Sequence, residues 1–447
     1  MYRDRGGVEK MNEEEICNRF YQNFEGNKNR VKEEISTHLI NKHHFKTVWG
    51  KRSQEIFYYT EGIYKDGGIA IIRQEIEKIL KEKLTINYQK EIINKIKNRT
   101  IIDAEKIEEE DNFICLNNGL WDIEHKELIR HTPEKIFLSK LNIDYEPNAD
   151  CAKIENFMKQ LFDTQKKIDT IQEIAGYILL RSNYLKKAFI FKGKRDTGKT
   201  TLLDLFEGIV GENNVSRESL QNLCDDKHSS INLMGKLLNV YDDLNRKFIK
   251  NPSEFKNITG DARRIRGERK FCDPVLFKNY ATLIFACNSL PSIDGTIDEA
   301  FLSRFIILEF NKVIPIWKRD KNLKYKLLEE KSGFLIWALS GLDRLNRNKK
   351  FSFEITPKEV YNEFTIHNTI LGNFVIDRID KRKGNIISKT ELYNEYVKYY
   401  MNQKKEWQKE EFYEIKKFGK KLKNIITDLS DIKREGKKYW KNIILIQ

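Results

Sequence analysis

Eight consecutive residues carry the clearest chemistry in this 447-residue chain: Gly193, Lys194, Arg195, Asp196, Thr197, Gly198, Lys199 and Thr200. Their spacing is that of a phosphate loop, in which glycines let successive backbone N–H groups curl around an anion. Lys199 would reach the β- and γ-phosphates of a nucleotide, and the Thr200 hydroxyl would coordinate Mg2+. The loop follows the apolar run Ala188–Phe191 and opens, through Thr201, a helical stretch reaching Ile209. Strand, loop, then helix is the context such a motif needs, and ATP with Mg2+ are the cofactors it implies. The bland alternative is an ordinary glycine-containing turn between a strand and a helix.

A phosphate loop also needs acidic and polar partners at the ends of neighbouring strands, to hold the metal and orient water. Leu237–Tyr241 is followed by Asp242 and Asp243, 43 residues after Lys199. One carboxylate would serve Mg2+, taken as Asp242 together with Thr200, and the other would orient the attacking water. A third apolar run, Ala281–Cys287, ends in Asn288, whose side chain suits contact with a γ-phosphate or that water. Arg304 directly precedes a fourth run, Phe305–Phe310, where a guanidinium could stabilise transition-state charge. Alone, an arginine before a strand is more often a surface residue.

The elements that must position these groups are buried strands alternating with helices from residue 187 onward, the pattern of an α/β core with a mostly parallel sheet. Upstream, 12–45 reads as polar helix and 55–64 as a hairpin. A helix over about 70–84 and a second hairpin over 112–123 follow. Pro147, Asn148 and Asp150 punctuate the chain before a helical stretch at 152–182. The tail after Pro357 turns helical and basic and closes on a strand, Tyr439–Leu445. The domain division expected is 1–35, a polar helical extension; 36–150, helical with hairpins; 151–345, the ATPase; and 346–447, a basic terminal module.

Composition narrows the partners. With 81 Lys and Arg against 67 Asp and Glu, the formal charge is +14. Residues 372–447 hold 19 basic and 11 acidic side chains, so +8 of that charge sits in the tail. Such a surface attracts a polyanion. Six scattered cysteines without a CxxC, and seven histidines without an HExxH, argue against a disulfide scaffold or zinc module. No run of 18 apolar residues and no signal-like N-terminus is present, so a cytoplasmic location without membrane is expected.

Taken in order, the phosphate loop, aspartate pair, basic segment, strand ending in Asn288 and Arg304 resemble a superfamily 3 helicase of the AAA+ class. The likeness is to the helicase portion of the poxvirus and phage–plasmid primase–helicase family. Lys256–Asp261 and Phe285–Pro291 are similar to that family's segments after the acidic pair and at its sensor strand. Asn117–Asp122 and Asp144–Pro147 are similar to its pre-helicase region, and 360–447 to its winged-helix tail. The resemblance implies a ring, usually a hexamer, that unwinds DNA with ATP between subunits and Arg304 acting on a neighbour's nucleotide. It also implies that Arg266, Arg269 and Lys270, within the basic run Arg263–Phe271, lie on a channel hairpin and grip the DNA backbone. The bland reading of that run is a solvated charged hairpin. Arg304 stands alone where relatives often have two arginines. No Asp-x-Asp pair occurs, so primer synthesis is not expected, and a separate primase or polymerase would supply it. Two other functions fit the same residues: an ATP-switched replication initiator or loader that binds duplex through its tail, and a nucleic-acid-triggered defence ATPase.

Overall fold

The computed structural model describes residues 13–49, 54–103, 111–244, 249, 252–260, 264–268, 274–291, 298–366, 369–403, 412–426, 429–434 and 436–446. Two compact units divide the chain, Met1–Tyr145 and Glu146–Gln447. No helix among the described residues is long and apolar enough to cross a membrane.

The first unit begins with helices Glu13–Asn23 and Lys28–His43. A hairpin of Gln54–Thr60 and Ile63–Lys65 turns through Glu61 and Gly62, both at positive φ (52° and 87°), the conformation that matches the twist of paired strands. The helix expected over 70–84 runs from Gly68 to Leu80, and Lys81 at φ 46° then turns the chain. Phe113–Cys115 and Leu120–Asp122 form the second expected hairpin, which Glu127–Ile129 extends to three strands.

The second unit is mixed α/β, built on a parallel sheet. Its strands are β1 (Ala188–Lys192), β2 (Val215–Ser216), β3 (Leu238–Tyr241), β4 (Thr282–Cys287) and β5 (Phe305–Glu309). They lie in the order β5-β1-β4-β3-β2, and every neighbouring pair is parallel. The four longer strands are the four apolar runs read from the sequence. Strands covered on both faces need apolar residues at every position, not alternate ones, and β4 is buried throughout. Successive side chains of β1 enter opposite layers. Phe189 packs edge-on against Tyr177 and Phe351, while Ala188 and Ile190 join a core that includes Phe255, Phe285 and Phe301. The two-residue β2 was not anticipated, because so short a run leaves no pattern.

The tail is a small module around its own core. We label its parts β6 (Ile379–Ser388), α2 (Lys389–Gln403), α3 (Ile415–Ile425), β7 (Ser430–Arg434) and β8 (Lys437–Leu445), and the phosphate-loop helix Lys199–Val210 α1. The three strands pair antiparallel in the order β6-β8-β7. Tyr396 and Tyr400, at helical spacing on α2, are buried with Phe374, Phe418, Leu422 and Trp440. They pack the module and offer no face for stacking bases.

Candidate functional site

Because the sheet is parallel, the carboxyl ends of β1, β3 and β4 meet at one edge. Cys287 lies beside Lys192, and Tyr241 beside Phe285. The residues that follow each strand, the loop 193–200, Asp242-Asp243 and Asn288, are thereby delivered to one place. They line a cavity of about 350 Å³ formed by residues 195–201, Asp242, Asp243, Cys287 and Asn288.

Two glycines make the loop possible. Gly193 lies where a Cβ would come within 2.4 Å of the Phe310 carbonyl oxygen, so only a bare backbone can leave β1 there. Gly198 sits at φ 87° as the residue capping α1, and a Cβ on it would meet Leu161 at 2.4 Å. The first backbone bond of α1 runs from Leu202 N–H to the Gly198 carbonyl at 3.1 Å. The N–H groups of Lys199, Thr200 and Thr201 are thus left without intrahelical acceptors, an arrangement able to bind an anion.

Lys199 is buried and donates to the carbonyls of Gly193 and Lys194 at 2.7 and 2.8 Å. Burial lowers the pKa of its ammonium, while the carboxylates of Asp242, Asp196 and Asp243 oppose that effect. The Thr200 hydroxyl donates to Asp242 Oδ2 at 2.8 Å, joining the two residues named from the sequence as metal ligands. The other Asp242 oxygen accepts the N–H of Asp243 at 2.9 Å. Thr197 ties the loop internally through a bond from its hydroxyl to the Lys194 carbonyl at 3.0 Å.

Arg304 is elsewhere. It precedes β5, and its carbonyl accepts the Ala188 N–H at the amino end of β1. The length of β1, at about 3.3 Å per residue, places that end roughly 16 Å from the phosphate loop. Arg304 instead lines a cavity of about 710 Å³ with Lys186, Lys227, Lys256, Arg264 and Arg266. Its Nε is buried without a hydrogen-bond partner, and burial lowers its pKa. Arg266 lies on a two-stranded hairpin, Arg264–Gly267 against Val275–Lys278, and pairs with Glu268 at 2.9 Å. Arg264 and Arg266 are exposed on one face while Ile265 and Gly267 point inward. Arg269 and Lys270 lie outside the described residues.

Three features of the site carried no signal in the sequence. Asp196 and Asp243 both adopt left-handed backbone, at φ 64° and 65°. Arg319 reaches back to the Asp196 carboxylate at 3.1 Å, and Ile314 N–H bonds the Asp196 carbonyl at 2.8 Å. Cys287, the last residue of β4, forms part of the wall, its thiol pushed up to about 12 by burial. That a strand's last residue faces the cavity was inferable only from the pairing register.

Residues 17–163 match a family model described as D5 N terminal like. This agrees with the resemblance to primase–helicases of viruses and phages drawn from the sequence. Residues 191–304 match a family of unknown function, DUF5906, a span that begins in β1 and ends on Arg304. No curated protein matches the chain. Among solved structures, an A-form apo structure of the NrS-1 C-terminal region is 15% identical, with a TM-score of 0.47, covering 92% of this chain and 98% of that one. A second apo structure of that region, residues 305–718, gives a TM-score of 0.46 at 15% identity and the same coverage. Both likenesses are too loose to bear on function.

Proposed function

We propose that the chain is an ATP-driven DNA helicase of the superfamily 3, AAA+ kind, acting as a ring in the replication of a plasmid, virus or integrated element. The observation that carries this reading is the meeting of Lys199, Thr200, Asp242, Asp243 and Asn288 in one cavity at the carboxyl edge of a parallel sheet. The residues suit a Mg2+–nucleotide: free N–H groups at the start of α1, a buried ammonium, and a hydroxyl already bonded to a carboxylate. Lys199 would hold the phosphates, with Thr200 and Asp242 as metal ligands. Bound metal supplies charge neutralisation. Asp243 and Asn288 would orient water.

Arg304 is too far along its strand to serve its own cradle, which favours action on a neighbouring copy and hence a closed ring. The D5 N terminal like match supports a role in replication. The charge of the tail and the exposed Arg264 and Arg266 support DNA as the partner. We read the tail as a winged helix.

The test is strand displacement on forked DNA with single-stranded 3′ or 5′ tails, using the wild type and Lys199→Ala. Displacement that needs ATP, one tail polarity and Lys199 is the expected result. DNA-stimulated hydrolysis without displacement would select the second reading, an initiator or loader, which the lysine-lined groove of the tail favours.

A further inference from the structure

We propose that the groove between α3 and the β7–β8 pair docks the backbone of duplex DNA, and that Asp431 is its built-in counterion, holding two groove lysines until a phosphate displaces it. This rests on the reading of the chain as a DNA-acting protein. It adds an attachment point distinct from the ATP-dependent one and names the residue that sets its strength.

The groove encloses about 940 Å³, and Lys389, Lys416, Lys420, Lys423, Lys437 and Lys438 line it. Asp431 is the one carboxylate among the described residues that do so. Helical spacing puts Lys416, Lys420 and Lys423 on the same side of α3, opposite the buried Phe418 and Leu422. Lys437 and Lys438 approach from the turn between β7 and β8. Gly419 lets the helix sit close to the sheet, since a Cβ there would already be 3.3 Å from the Trp440 ring.

Asp431 bonds Lys389 at 2.9 Å and Lys423 at 2.5 Å. The same two ammonium groups lie over the Trp440 ring, 3.9 and 5.6 Å from its centroid. All three charged side chains keep solvent access, and ion pairs so placed are weak enough for a phosphate to displace the carboxylate. Lys416 and Lys420 have no ion-pair partner among the described residues.

Duplex is the occupant the surface fits. Binding a single strand relies on exposed rings for bases to stack on. Trp440 is only 3% exposed beneath its lysines, and on α2 Tyr396 and Tyr400 lie inside while Tyr393 and Tyr399 are half-buried against the same core. Apart from Ile415, what α3 and the strand turn present to the groove is chiefly lysine charge, which follows phosphates.

A lysine already neutralised by Asp431 brings less net positive charge to a phosphate and so releases fewer of the cations condensed on DNA, adding less affinity and less salt dependence than a free one. The experiment measures binding of a labelled blunt duplex, and of one of its strands alone, by the full chain without nucleotide over a range of salt. Asp431→Asn is expected to tighten duplex binding about fivefold and to steepen its salt dependence. Lys416→Ala with Lys420→Ala, both exposed and without an ion-pair partner among the described residues, is expected to weaken it about tenfold and to lower the salt slope by about two. A misfolded Asp431→Asn chain would not bind more tightly, so a gain supports the proposal. Unchanged or weaker duplex binding by Asp431→Asn overturns the counterion. Unchanged binding by the double lysine variant, or preference for the single strand, overturns the groove. Lys199→Ala measured in parallel should bind duplex like the wild type. If strand displacement is absent while these shifts appear, the helicase reading fails and the groove stands.

Discussion

At the mouth of the cradle, Asp196 and Asp243 hold left-handed backbone that most residues adopt at a cost of about 1–2 kcal/mol. Aspartate tolerates it through local bonds, and here Asp243 N–H is bound by the Asp242 carboxylate while Asp196 is clamped by Arg319. The result fixes Asp242 with one oxygen on the backbone and the other on Thr200. The two side chains should therefore act as a unit. Thr200→Val and Asp242→Asn are each expected to lower ATP turnover about 100-fold, and the double variant no more than the worse single one. Steady-state hydrolysis at saturating ATP checks this; multiplied losses would separate the two roles. Lys199→Ala should lower turnover by at least about 100-fold. These groups were legible in the sequence because their spacing is local to strand ends. Arg319 was not, since its contact with Asp196 depends on a segment far along the chain that only the fold brings near.

Among elements, the parallel sheet does the assembling, and its strands were legible because full burial writes unbroken apolar runs into the sequence. Their order was not, since apolar runs do not specify neighbours, and with the order went the knowledge that Cys287 faces the cavity. The exit from β1 is closely constrained, since a Cβ on Gly193 would lie 2.4 Å from the Phe310 carbonyl oxygen. Gly193→Ala would push a methyl onto the Phe310 carbonyl and should destabilise the second unit by about 1–3 kcal/mol, read by chemical denaturation. In the tail, Lys423 and Lys389 hold the Asp431 carboxyl down at about 2, well below its usual 3.8. A lowered carboxyl pKa contributes stability that is present above the unfolded value and is lost as pH falls through the folded one. Asp431→Asn should therefore melt below the wild type at neutral pH, and the difference should close between about pH 4 and 2. Melting temperatures of both proteins over that range, at fixed salt, would show a constant gap if Asp431 acted only through packing.

For the molecule as a whole, the proposed ATPase site is divided: Arg304 lies away from the cavity lined by Lys199, Thr200 and Asp242. The phosphate loop lies at the carboxyl edge of the sheet and Arg304 at the amino end of β5, separated by the length of a strand. No rotation of its side chain spans that gap, so Arg304 can act only on a nucleotide held by another copy, through a head-to-tail interface. Such interfaces close into rings when the rotation allows. Arg304→Ala is then expected to abolish turnover while leaving nucleotide affinity intact, and Lys199→Ala to abolish turnover from the other side of the same interface. Mixed in equal amounts and allowed to exchange, the two inactive proteins should recover about a quarter of wild-type turnover, because random assembly pairs an intact cradle with an intact arginine that often. Exchange itself is checked by energy transfer between differently labelled subunits. Recovery would establish the shared site, whereas exchange without recovery would count against Arg304 acting on a neighbour's nucleotide.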